Sequence, residues 1–173
     1  MAMAVHFGTD GIRGTAYETI TVDLAYRLGW AVGTVFTAPV YVGYDTRESS
    51  PVLAAAVLAG LRDANATGHN LGVFTTPGVA VIAQRRGGVG VVVSASHNPY
   101  YDNGLKVLGV GGSKLDVATE EAVAKAMDRA PSAPRERFDE SIIDESAQHE
   151  YAAHLRDMKP PAVVTIRVLD ARP

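Results

Sequence analysis

The chain of 173 residues has no cysteine, which excludes a disulfide framework, a thiolate metal site and a cysteine nucleophile. It has no block of like charge either. Sixteen Lys and Arg stand against nineteen Asp and Glu, a net charge of −3, and their dispersal leaves no basic stripe to follow a nucleic-acid backbone. No apolar run approaches the roughly 20 residues that span a bilayer. The N-terminus lacks a basic region followed by an apolar stretch. These absences predict a soluble, cytoplasmic protein that binds neither nucleic acid nor membrane. The 47% of hydrophobic residues suffices for the core of one ordinary domain.

The strongest local signal is Val91-Val92-Val93, which breaks into Ser94-Ala95-Ser96-His97-Asn98-Pro99 and then Tyr100 to Lys106. A run of valines reads as a strand buried on both faces. It delivers the Ser96 hydroxyl to the end of a sheet, where α/β proteins bind ligands. An imidazole (His97), an amide (Asn98) and an ammonium (Lys106) follow within eleven residues, the company that phosphoryl transfer needs.

The preceding chain alternates between two periods. A helix is predicted over residues 21–37, with Thr21 as N-cap and a stripe of Leu24, Leu28, Val32 and Val35. Val40 to Gly43 reads as a strand. A second helix takes Ser50 as N-cap and Pro51 at its first position, carries Leu53, Val57, Leu61 and Ala64, and stops at Gly68. Asn70 to Phe74 is a strand, and Pro77 opens a third helix to about Arg86, which turns at Gly87-Gly88. Beyond Lys106, Val107-Leu108 and the following glycines read as a small strand and hairpin. Thr119 is expected to cap a fourth helix ending near Arg129. Residues 130–137 read as a surface linker, and a last helix runs from Asp144 to Met158 with Tyr151 and Leu155 on one face. Strand–helix alternation with short connections implies an α/β class fold, a three-layer α/β/α domain with a mainly parallel mixed sheet.

Three segments together carry a resemblance. Ser94-Ala95-Ser96-His97-Asn98-Pro99 resembles the phosphoserine loop of the α-D-phosphohexomutases. Phe7-Gly8-Thr9-Asp10-Gly11-Ile12-Arg13-Gly14 and Gly43-Tyr44-Asp45-Thr46-Arg47 are similar to two further motifs of that family. The wording of the first of these, with Tyr100 to Lys106, is similar to the bacterial phosphoglucosamine mutase branch. The resemblance spans Phe7 to about Met158 and implies the first of four domains, here residues 1–158. Residues 159–173 are then a linker and the truncated start of a second domain, since no later family loop for metal, sugar or distal phosphate occurs.

The resemblance implies that Ser96 is the phosphorylated catalytic serine and one ligand of a Mg²⁺ ion whose other ligands lie outside this chain. It implies that Lys106 stands near the transferring group as a catalytic and phosphate-binding residue. Arg13, between Gly11 and Gly14, is read as a catalytic and phosphate-binding residue that aims its guanidinium at a phosphate. His97 and Asn98 either hydrogen-bond the phosphoserine or hold the loop; His97 is counted as catalytic and Asn98 as phosphate-binding. Ser94 reads as supporting, Asp45 and Arg47 as a pair that pins a turn, and Gly104 as a position of positive φ.

The expected activity is interconversion of glucosamine 6-phosphate and glucosamine 1-phosphate through a bisphosphate. The expected partners are a hexosamine or hexose phosphate substrate, the missing C-terminal domains and a second copy in a homodimer. The isolated chain is expected to be inactive. Two alternatives stand beside this: a phosphomannomutase or phosphoglucomutase domain, and a non-catalytic binding or oligomerisation module.

Overall fold

A computed structural model describes residues 11–134, 138 and 141–158. The Phe7–Asp10 half of the first motif and the expected segment at 159–173 lie outside the described residues. Among the described residues five strands and five helices follow in the order β1 (Ile12–Thr15), α1 (Val22–Val35), β2 (Val40–Tyr44), α2 (Ser50–Asp63), β3 (Gly68–Val73), α3 (Thr76–Arg85), β4 (Val89–Val93), β5 (Asp102–Leu108), α4 (Val117–Arg129) and α5 (Glu145–Asp157). A 3₁₀ turn, Val110–Gly112, follows β5.

The strands form one mixed sheet in the order β1-β5-β4-β2-β3. Its parallel part is β3-β2-β4, while β5 lies antiparallel between β4 and β1. Helices α1, α2 and α4 cover one face over Val40, Val42, Val89, Val91, Val93, Leu105 and Val107. Helix α3 covers the other over Tyr41, Leu71, Val92 and Leu108, with Ala147 and Tyr151 of α5. This is the expected three-layer arrangement. The alternation of Val91 and Val93 to one face and Val92 to the other explains why the run has no polar member.

Several local expectations shift. Thr21 caps α1, accepting from Leu24 N–H. Ser49, not Ser50, precedes α2, and neither hydroxyl caps the backbone; the Ser50 hydroxyl donates to Asp45 instead. Helix α2 ends at Asp63, with Ala64 as C-cap and Asn65 next at φ +58°, so Gly68 starts β3 rather than stopping the helix. Asp116 caps α4, and Thr119 donates its backbone N–H to that carboxylate. The strand after the loop begins at Asp102, so the loop itself is the hairpin connection between β4 and β5. Arg85 and Arg86 do end α3, yet both also pair with Glu150, and Arg86 with Asp144, which fastens α5 to α3. On α5, Tyr151 packs near Phe74 while Leu155 is half exposed.

Helices α1 and α2 pack at glycines. A Cβ placed on Gly29 would lie 2.0 Å from the Val57 carbonyl oxygen, and one on Gly60 would lie 2.0 Å from the Tyr26 carbonyl oxygen. Both obstacles are backbone, so relief requires the helices to separate. Gly60→Ala is therefore expected to destabilise the domain by about 1–3 kcal/mol, although alanine has the higher helix propensity. An unchanged midpoint in chemical denaturation would contradict this packing.

Candidate functional site

The site is built where the β2–α2 turn meets the β4–β5 loop at the C-terminal end of the parallel strands. Strand β4 is buried throughout. Its ladder continues one residue further, with Ser94 N–H donating to the Gly104 carbonyl at 2.9 Å. Beyond it the chain turns sharply: Ser96 has φ +57°, the left-handed region that a Cβ disfavours. The Ser94 hydroxyl accepts from Ser96 N–H at 3.0 Å. Asn98 N–H returns to the Ala95 carbonyl at 3.1 Å, and the Asn98 side-chain amide donates across the loop to Asp102 at 3.0 Å. These bonds leave Ser96 exposed with its Oγ 3.4 Å from His97 Nδ1, a long contact for a hydrogen bond.

Underneath lies a polar knot. Asp45 Oδ1 accepts from the Ser50 hydroxyl at 2.6 Å and from Arg47 N–H at 3.1 Å, and Oδ2 accepts from Arg47 Nε at 2.9 Å. Asn103, fully buried, donates to the Ser49 and Ser50 hydroxyls at 2.8 and 2.9 Å and accepts from Gly104 N–H through Oδ1. Among the described residues no buried side-chain polar atom lacks a partner. The Arg47 guanidinium continues the network into the loop, donating to the carbonyls of Ser96, Asn98, Pro99 and Asp102. Burial alone would raise the Asp45 carboxyl; hydrogen bonds from Ser50, Ser94 and Arg47 together hold it below its ordinary value. A cleft of about 260 Å³, lined by Asp45, Thr46, Val73, Phe74, Thr75, Thr76 and Ser94, opens beside this knot.

The two cations singled out in the sequence stand on the adjoining strands. Arg13 is exposed on β1 opposite Gly104, and Lys106 is half buried on β5 opposite Val92. Paired residues share a face and residues two apart on a strand do too, so Arg13 and Lys106 occupy the same face of the sheet. Of the glycines around Arg13, only Gly11 has positive φ (+85°), while Gly14 lies within β1. The expectation for Gly104 is corrected. It is an ordinary strand residue, and glycine is required because a Cβ would meet the Ser94 carbonyl oxygen at 2.7 Å and Arg13 Cγ at 3.1 Å. The left-handed residue of this region is Ser96 itself.

The structure thus gathers Ser96, His97 and Asn98 in one loop, with Arg13 and Lys106 on neighbouring strands. Asp45 and Arg47 form the expected pair. Their reach into the loop was not readable in the sequence, because the acceptors are main-chain carbonyls that every residue carries. Asn103 carries no local signal for a similar reason: nothing in an Asn-Gly pair distinguishes a turn from a buried network. Among the described residues no group of three or more His, Asp or Glu is placed to hold a cation. Ser96 offers one oxygen, whereas Mg²⁺ takes six ligands; the described residues do not fit a complete Mg²⁺ site.

The site is thus a strand-end serine in a left-handed loop on a mixed α/β/α sheet, with Arg13 and Lys106 on the adjoining strands. Residues 4–133 match the family model described as phosphoglucomutase/phosphomannomutase, alpha/beta/alpha domain I, and the chain belongs to that family. Among curated relatives, it is 38% identical to the phosphoglucosamine mutase of Thermosipho africanus over 88% of this chain and 35% of that protein. It is 45% identical to the Exiguobacterium sibiricum phosphoglucosamine mutase over 74% of this chain and 30% of that protein. The chain therefore spans about a third of the length of these relatives. A phosphoglucomutase/phosphomannomutase family protein of Burkholderia thailandensis superimposes with a TM-score of 0.64 at 28% identity, covering 80% of this chain and 34% of the other.

Asp45 gives this site a pH signature. A carboxyl whose pKa is lower in the folded state stabilises above its unfolded pKa of about 3.9, and that contribution is lost as pH falls through the lower folded value. A carboxyl-carbon NMR titration is expected to place the Asp45 midpoint below the ordinary aspartate value, with loop amides shifting in the same acid range. A midpoint at or above about 4 would contradict the network drawn here.

Proposed function

We propose that this chain is the phosphoserine-bearing domain of a phosphoglucosamine mutase, which moves a phosphoryl group between the 6 and 1 positions of glucosamine phosphate. The observation that carries the reading is the exposed, left-handed Ser96 at the end of buried β4, in a chain 36–45% identical to proteins bearing that name. Phosphorylated Ser96 donates its phosphoryl group to a sugar phosphate. The resulting bisphosphate turns over and returns the other phosphate to Ser96. Transfer spreads charge over three equatorial oxygens, so the protein acts through position and electrostatics. Arg13 and Lys106 supply positive charge on the face beside the loop, the proton of the attacking sugar hydroxyl ends on the Ser96 oxygen as the phosphoryl group leaves it, and His97 attends the phosphoserine oxygens while the Asn98 amide holds the loop through Asp102.

A Mg²⁺ ion, when bound, would withdraw charge from the phosphoryl oxygens, with Ser96 as this chain's one ligand to it. Residues 1–158 form the first domain in this reading, and residues 159–173 lead towards the domains that supply the remaining ligands and sugar contacts. A homodimer in the cytoplasm completes the proposal.

The decisive experiment compares two serines in the full-length polypeptide. Ser96→Ala is expected to remove the phosphoryl carrier and lower mutase turnover by at least about four orders of magnitude without unfolding the protein, since Ser96 is exposed. Ser94→Ala removes one hydroxyl that accepts from Ser96 N–H and is expected to cost roughly tenfold, the kinetic equivalent of one hydrogen bond. Phosphopeptide mapping should place the label on Ser96. Label on Ser94, or full turnover in Ser96→Ala, would overturn the assignment.

A further inference from the structure

We infer that Arg47 is a positioning residue for phosphoryl transfer: its guanidinium fixes the Ser96 loop from beneath and is saturated, so it holds the carrier serine without itself binding phosphate. This rests on the proposed function for the transfer step, and on geometry alone for the clamp.

A guanidinium has five N–H donors in a rigid fork. In Arg47 each of the five has an acceptor. Nε donates to Asp45 Oδ2 at 2.9 Å. One terminal nitrogen donates to the Asp102 carbonyl at 3.1 Å and to the Pro99 carbonyl. The other donates to the carbonyls of Ser96 and Asn98, each at 2.9 Å. The side chain is 11% exposed. Four of the five acceptors belong to the loop and its junction with β5, within seven consecutive residues. No donor is left over for a ligand, which separates Arg47 from the exposed Arg13.

The grip has a directional consequence. All peptide bonds among the described residues are trans, and in a trans peptide C=O and N–H point in opposite directions. Holding the Ser96 carbonyl towards Arg47 turns the His97 N–H away from it. The same constraint fixes ψ at Ser96, whose φ of +57° is a conformation that persists only where its surroundings over-determine it. Asp45 in turn sets the guanidinium plane through Nε, and Ser50 and Asn103 carry that constraint back to the buried start of α2 and to β5. Lysine cannot substitute, because an ammonium has three donors on a flexible stem and cannot span five acceptors.

The test uses Arg47→Lys and Asp45→Asn in the full-length polypeptide, read by amide hydrogen exchange over residues 94–102 and by mutase kinetics on glucosamine 6-phosphate. Arg47→Lys is expected to accelerate exchange in that segment selectively. It should lower kcat by about 100-fold, the cost of a small misplacement of a reacting group, with KM changed by less than about threefold. Asp45→Asn, which keeps the shape but removes the charge, should shift both readouts in the same direction by less.

Native exchange in the loop of Arg47→Lys would overturn the clamp. A KM rise at unchanged kcat would overturn the claim that Arg47 binds no phosphate. Uniform loss of protection across the domain in both variants would overturn a local positioning role in favour of a general structural one. Wild-type protein with no turnover on the sugar phosphate would sink the proposed function, while the exchange measurement still decides the clamp.

Discussion

The carboxylate of Asp45 lies where three stretches of chain come together: the end of β2, the start of α2 and, through Arg47, the β4–β5 loop. A carboxylate partly removed from water costs several kcal/mol unless its lone pairs are satisfied and a counter-charge is present. Asp45 has both. The hydroxyl of Ser50 and the backbone of Arg47 saturate one oxygen, and the guanidinium of Arg47 faces the other. Because Arg47 is held in plane by this pair, its remaining four donors form a fixed template. The loop then has one arrangement that satisfies its carbonyls.

This polar knot divides the domain into parts with different physical origins. Below it, stability is apolar: Val40, Val42, Val89, Val91 and Val93 are buried against α1 and α2, and the α1–α2 contact is close because Gly29 and Gly60 leave room for backbone oxygens. Above it, the loop buries little. Ser96, His97, Pro99, Tyr100 and Tyr101 are exposed, so the hydrophobic effect contributes almost nothing to their order. Hydrogen bonds and one charge pair must do so. A loop held that way is rigid where its carbonyls are gripped and open where its side chains point, which suits a group that must meet a substrate.

The apolar part was legible in the sequence and the polar part mostly was not. Valine runs, the Thr21 cap and the Gly87-Gly88 turn identified strands and helices because their signals are local: burial on two faces, one side chain on one N–H, two flexible residues. The errors share a cause. A serine before proline reads locally as a cap, as at Ser50, and a glycine after asparagine as a turn residue, as at Gly104, because those are their usual parts. Here long-range partners override the local preference: Asp45 and Asn103 claim Ser50, and Arg13 with the Ser94 carbonyl claims the space at Gly104. The motifs marked Ser96 and the Asp45–Arg47 pair as notable. That fifty residues separate Arg47 from the carbonyls it binds is a fact of topology, set by β2 and β4 being neighbours in the sheet.

Under the proposed function, that adjacency also lets the site take a change in its own charge. Phosphorylation of a serine adds about −1.5 to −2 charges, which an unpaired carboxylate nearby would oppose. Pairing Asp45 with Arg47 cancels most of that field at its source, and donating the Asn98 amide to Asp102 occupies a second carboxylate. Arg13 and Lys106 share one face of the sheet, and the proposed function gives them the charge of that phosphoryl group to meet. A loop anchored through its carbonyls, rather than through its serine side chain, can gain and lose a phosphoryl group without losing the contacts that hold it.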